Sequence, residues 1–218
     1  MVTVTNHDIE EVMGATLADA TPPVYVVGPS AATITAIIGV ATDSDEPPSI
    51  RLLAEADELK AVFEDFLVAS NAADLIAAGD LELRTERAHR GNELVVTADR
   101  IAGIVTAGPS IAALSTDDVE FVETAVDYYR DRWRDATPYE LRTPPLSKIR
   151  TSLADEVGPE IEADFTAVLE SLETARGNGN GLDEVTISLL VAAKNEQLLY
   201  DISKWGEDIG IASKATFS

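Results

Sequence analysis

Lys204, Ser213, Lys214, Thr216 and Ser218, all near the end of the 218-residue chain, carry the side chains best suited to act on another molecule. Ammonium groups attract phosphate, and hydroxyls exchange hydrogen bonds with phosphate oxygens and base edges. Elsewhere the chemistry is thin. There is no cysteine, which excludes disulfides and thiolate metal sites, and His7 and His89 are the only histidines. Gly28-Pro29-Ser30 stands before a predicted helix, where an anion can sit, but it lacks the Gly-Lys-Ser/Thr of a phosphate loop. It reads as an ordinary strand-to-helix turn. No serine sits in a nucleophile elbow, no His-Glu-x-x-His occurs, and no acidic cluster has metal-loop spacing. No catalytic residue, metal ligand or cofactor is expected, and the chain does not read as an enzyme.

Local structure must aim the five residues. Residues 197–200 (Gln-Leu-Leu-Tyr) form a short apolar run that predicts a strand. Asp201 then suits a helix cap, and Ile202, Trp205 and Ile209 fall on one helical face. Gly210 supplies a residue that tolerates the positive φ of a helix end. Ser213 can cap a second helix, with Lys214, Thr216 and Ser218 outward and Ala215 and Phe217 available to pack. Helix, glycine turn and a Ser/Thr/Lys-rich second helix is the pattern of a helix-turn-helix, whose second helix enters the DNA major groove. Residues 183–195 would be the first of three helices, and the strand at 197–200 suggests the winged variant. The chain stops at Ser218, about two turns into the second helix. The expectation is therefore a truncated winged-helix-type reader over 182–218, with Lys204 touching backbone from the preceding helix.

The remainder predicts an α/β domain with a mixed sheet and antiparallel hairpins over residues 1–140, for dimerisation or effector sensing. Its expected helices are 6–19, 30–41 and 57–78, the last broken near Ser70-Asn71, and a further one capped by Ser115/Thr116 and running to 135. Val122, Val126, Tyr129 and Trp133 form the buried stripe of that helix, with Arg130, Arg132 and Arg134 at its C-terminal end. Strands are expected at 24–27, 50–54, 81–85, 93–97 and 101–106, the last three joined by His-Arg-Gly-Asn and Ala-Asp-Arg hairpin turns. Linker helices at 146–156 and 160–175 lead to a Gly-Asn-Gly-Asn-Gly hinge at 177–181. Ile161, Phe165, Val168, Leu169 and Leu172 give the second linker helix a broad apolar face that docks on its own domain or on a twin chain, the contact a two-fold reader of DNA needs.

Charge narrows the setting. Acidic residues number 39 against 16 basic ones, and the net charge is −23. The acids are dispersed rather than gathered in a tail, which fits a halophile surface whose self-repulsion concentrated salt screens. Residues 183–218 carry only −3, leaving −20 on the other 182 residues. In molar salt counterion release contributes little, so a DNA binder there leans on shape and base contacts. No apolar run spans a membrane, and the N-terminus lacks the basic start and apolar block of a signal peptide. A cytoplasmic protein is expected.

The stretch 201–218 (DISKWGEDIGIASKATFS), with Leu189-Leu190-Val191-Ala192-Ala193-Lys194-Asn195 before it, resembles the C-terminal helix-turn-helix of the haloarchaeal TbsP-like (TrmB-bound gene suppressor) transcriptional regulators. The acidic front part, with Arg142-Thr143-Pro144-Pro145, is similar too. The resemblance implies a sequence-specific DNA-binding regulator of metabolic genes, in sugar metabolism, in a halophilic archaeon. It implies double-stranded promoter DNA as partner, and a homodimer is expected because a two-fold reader of DNA needs a contact between twin chains. The front domain also resembles the phospholipase-D-like half-fold. That class needs His-x-Lys, whereas His89 is followed by Arg90 and Gly91, so hydrolysis is not expected. The alternative reading is a sensor or interaction module built on that degenerate fold, with no DNA contact. Operator, effector and sign of regulation are not legible in the sequence.

Overall fold

The computed structural model describes residues 2–6, 8–18, 20–86, 91–175, 184–195 and 197–217. The chain divides into two compact units, Met1–Glu64 with Leu75–Leu141, and Asp65–Asp74 with Arg142–Ser218. In the first unit the elements follow as β1 (Val2–Asn6), α1 (Ile9–Leu17), β2 (Val24–Val27), α2 (Ala31–Thr42), β3 (Ile50–Ala54) and α3 (Ala56–Val62). Next comes α4 (Phe66–Ala78), whose residues are shared between the two units, then β4 (Leu81–Thr85), β5 (Glu93–Val96), β6 (Ile101–Ala107), β7 (Ser110–Thr116), α5 (Val119–Asp135) and β8 (Thr137–Pro138).

The eight strands form one mixed sheet in the order β1-β7-β6-β5-β2-β3-β4-β8. The run β2-β3-β4 is parallel and its crossovers carry helices; the other pairings are antiparallel. All four residues of β2 are buried, as a central strand covered on both faces requires. Tyr25 and Val27 pack with Leu53, Val96 and Ile101 against Val122, Tyr129 and Trp133 of α5. Val24 and Val26 point to the opposite face.

Four expectations need correction. Residues 2–6 form β1 in antiparallel pairing with β7, so the first helix begins only at Ile9, where Asp8 Oδ1 accepts the Glu10 amide at 2.9 Å. The break in the 57–78 stretch falls at residues 63–65, because Asp65 Oδ1 accepts the Leu67 and Val68 amides and starts a new helix; Ser70 is buried inside it. Strands β4 and β5 are not a hairpin: β2 and β3 lie between them. The hairpin at Ala98-Asp99-Arg100 is present, closed by Thr97 N–H to the Arg100 carbonyl at 2.9 Å. Finally Ser115 and Thr116 end β7, and Asp118 caps α5.

Arg84 on β4 completes α5. Its guanidinium donates to the carbonyls of Trp133, Arg134 and Ala136 at 2.8, 3.3 and 3.4 Å, and lies 4.9 Å from the Trp133 ring centroid. Carbonyls at a helix C-terminus lack helical partners, and a cation there meets both the hydrogen bonds and the dipole. The helix's own arginines are otherwise engaged, Arg130 with Asp127, Arg134 with Asp131 and Arg132 with Glu86.

The second unit adds α6 (Leu146–Glu156), α7 (Pro159–Ala175), α8 (Glu184–Lys194), α9 (Leu199–Ile209) and a 3₁₀ turn (Lys214–Phe217). No strand occurs among its described residues. One core gathers Ile149 and Leu153 of α6, Ile161, Phe165 and Leu169 of α7, Ile187 and Val191 of α8, and Ile202, Trp205 and Ile209 of α9. Phe66 and Leu67 join it from α4. Of the apolar face of α7, Ile161, Phe165 and Leu169 are buried in this core and Val168 packs partly buried against it, so these residues dock on their own unit, the first of the two alternatives above. The Gly-Asn hinge at 177–181, His7, and His89 with Arg90 lie outside the described residues.

Candidate nucleic-acid interface

Residues 197–200 do not form a strand. Leu198 is the N-cap of α9, and its carbonyl accepts the Asp201 and Ile202 amides at 3.0 and 3.3 Å. A buried strand needs neighbours on both faces, whereas Leu198, Leu199 and Tyr200 are exposed. Asp201 consequently sits in the first turn, where a carboxylate favours the helix dipole, rather than at the cap. The strand on which the winged variant was inferred is thus absent.

The end of α9 follows the predicted logic closely. Gly210 adopts φ 89°, ψ 20°, the left-handed conformation in which a residue without Cβ is least strained. The Ile211 amide returns to the Gly206 carbonyl at 2.9 Å and the Gly210 amide to Glu207 at 3.2 Å, the paired bonds of a Schellman ending. The chain then reverses into the 3₁₀ turn, which packs on both α8 and α9. Phe217 is buried and its ring lies over Gly206: a Cβ at that position would fall 2.4 Å from Phe217 Cζ. Sequence reasoning did not single out Gly206. Its signal was a glycine on the apolar face of an amphipathic helix, between Trp205 and the capping Gly210.

Further contacts fix α8 and α9. The Trp205 indole N–H donates to Ser152 Oγ at 2.9 Å, and Ser152 donates to Glu156 at 2.8 Å. Asp164 of α7 accepts Lys194 Nζ at 2.7 Å and Asn195 Nδ2 at 2.8 Å, while Asn195 also donates to the Val191 carbonyl. Those donors, Lys194 first and Asn195 second, hold the Asp164 carboxyl below its ordinary pKa. No spacing in the sequence pointed to this clamp, because its partners are about thirty residues apart.

In place of a second α-helix there is one 3₁₀ turn, closed by the Thr216 amide on the Ser213 carbonyl at 2.9 Å. The hydroxyls of Ser213 and Thr216 lie 3.0 Å apart, and both residues are exposed. Ala215, expected to pack, is exposed instead, so Phe217 alone anchors the turn. Ser218 lies outside the described residues.

Residues 1–144 match the N-terminal domain of transcriptional regulators described as TbsP-like, and residues 145–218 match that family's C-terminal HTH domain. The chain belongs to the TbsP-like transcriptional regulators. No curated protein matches it. Among solved structures it is similar to TrmBL2, described as an archaeal chromatin protein with a novel mode of DNA binding. Identity is 12% and the TM-score 0.44, over 64% of this chain and 54% of that one. It is also similar to Nuc, a phospholipase D family member from Salmonella typhimurium, at 9% identity and TM-score 0.44, over 64% and 99% of the two chains. The chain spans about half the length of TrmBL2. Neither likeness is deep enough to assign a role.

Within this TbsP-like HTH domain, the electrostatics are uneven. Lys194 is committed to Asp164. Lys204 is exposed beside a recess of about 210 Å³ whose other walls include Glu156, Asp201 and Asp208. Three carboxylates around one ammonium blunt its attraction for phosphate at low salt.

Proposed function

We propose that this TbsP-like chain is a sequence-specific double-stranded DNA-binding regulator, a repressor of metabolic genes in a halophilic archaeon, acting as a cytoplasmic homodimer. Residues 1–140 dimerise or sense an effector, and residues 141–181, whose α6 and α7 share a core with α8 and α9, support the DNA reader at 182–218. The observation that carries the reading is the crossing of α9 and the 3₁₀ turn about Gly210, with Phe217 lodged on Gly206 and Ser213 and Thr216 left exposed. Ser213, Lys214, Thr216 and Ser218 then meet base edges and phosphates, and Lys204 meets backbone from α9. The acidic surroundings of Lys204 favour the rival, an interaction module whose C-terminal helices serve assembly alone.

A gel-shift series in 2 M potassium chloride with genomic promoter fragments separates the two. The native protein should retard specific fragments. Lys214→Glu with Thr216→Ala should weaken that binding at least tenfold, in line with about 1–3 kcal/mol for a lost base contact. Equal binding by the double variant, or no retarded band with any fragment, would overturn the regulator reading. Light scattering on the same samples reports the subunit number.

A further inference from the structure

The first unit carries an apolar cavity that DNA reading leaves unused. It has a volume of about 570 Å³ and lies between α5 and the antiparallel strands β5, β6 and β7. Leu94, Ile101 and Leu114 line its sheet side, and Phe121, Tyr128 and Tyr129 its helix side. Pockets that take metabolite-sized molecules span roughly 300–1,000 Å³ and share this make-up. No charged side chain lines it, although a quarter of the chain is charged.

Three observations say what fits. Phe121 is 57% exposed and Tyr128 56%, so large rings are presented to solvent at the mouth rather than packed. Tyr128 and Tyr129 meet edge to face, centroids 5.1 Å apart, and the Arg132 guanidinium lies 5.6 and 5.8 Å from their ring centroids. Arg132 is itself tied to Glu86, so the aromatic wall is preorganised. The wall's threonine hydroxyls already serve the local backbone: Thr124 donates to the Glu120 carbonyl and Thr116 accepts the Asp118 amide. The polar groups of the wall are uncharged hydroxyls, which ask at most a few neutral hydrogen bonds of a ligand. A net charge of −23 also disfavours anions in dilute salt.

The geometry points to a ligand site: this cavity takes an uncharged, ring-bearing apolar molecule of metabolite size. Its role as an effector rests on the regulator reading, whereas binding itself does not. A flat protein surface laid over a concave hollow leaves it void and forfeits contacts on one side, which favours a small molecule over a second copy of the chain.

Titration of the native protein with the neutral fluorophore N-phenyl-1-naphthylamine in 2 M potassium chloride tests the site. Saturable, blue-shifted emission at one probe per chain is expected. Gly103→Val should fill part of the cavity; a Cβ there meets Leu94 Cδ2 at 3.7 Å and the Leu114 carbonyl oxygen at 3.9 Å, ordinary van der Waals contacts. Phe121→Ala removes an exposed wall. Each should weaken probe binding at least tenfold while unfolding stays cooperative. The site is overturned by non-saturating emission, or by either variant binding as tightly as the parent. It is also overturned if the parent excludes the probe and Phe121→Asp turns dimers into monomers, which identifies a second copy as the cover. Gel shifts on the same samples without probe keep the two proposals apart. Retarded DNA without probe saturation sinks the site alone, and probe saturation without retarded DNA sinks the regulator reading alone.

Discussion

Gly206 sets two ordinary rules against each other. Replacing a glycine inside a helix by alanine normally stabilises it by about 1 kcal/mol. Here the new methyl would overlap Phe217, 2.4 Å from Cζ and 2.7 Å from Cε2, and overpacking costs about 1–3 kcal/mol. The expected outcome of Gly206→Ala is a net loss of about 1 kcal/mol in urea unfolding, with the emission of the neighbouring Trp205 altered. Adding Phe217→Leu, which removes the far end of the ring, should restore part of that loss. A Gly206→Ala protein more stable than its parent would show that the ring moves aside at no cost. Gly210 was predictable because its role follows from one backbone angle. Gly206 was not, since its role depends on a ring eleven residues later that folds back only once the Gly210 turn exists.

Among elements, the joint between α7 and α8 depends on acidity. The Asp164 carboxyl is held below its ordinary pKa by Lys194 and then Asn195, so the folded state favours its ionised form. Its contribution is complete above the unfolded carboxyl value of about 4 and disappears as pH falls through the lower folded value. Asp164→Asn should therefore be less stable than the parent by a constant amount between pH 5 and 8, and the gap should close in stronger acid. A gap that widens as pH drops would rule out this account. Helices α6 and α7 and the parallel strands were legible because period and caps are local properties. Pairing was not. Strand β1 is five residues of Val-Thr-Val-Thr-Asn whose partner lies more than a hundred positions away, so nothing nearby marked it. The run at 197–200 carried the composition of a buried strand, but no sheet exists among the described residues of its unit to receive it.

For the whole molecule, a charge of −23 means that folding concentrates like charge. Raising salt from 0.1 M to 1 M shortens the screening length from about 10 Å to about 3 Å. The unfolding midpoint should rise by at least about 4 °C between 0.1 and 2 M potassium chloride, equivalent to roughly 1–2 kcal/mol for a chain of this size. Calorimetry measures it directly, and a midpoint independent of salt would mean that the acids are already far enough apart. The charge is legible in composition alone, whereas the cavity beneath Phe121 is not. Phe121 was not part of the predicted stripe, and its neighbours come from three strands whose order no local pattern encodes.

The two flanks of the sheet are closed to different degrees. Along β4 the final strand is only Thr137–Pro138, and a proline has no amide hydrogen to offer an incoming chain. Runaway strand-to-strand polymerisation is blocked on that side. The other flank ends in β1, longer, β-branched and without a single charge or proline, so in concentrated preparations fibril growth would be seeded there, and one lysine placed mid-strand would be the economical safeguard.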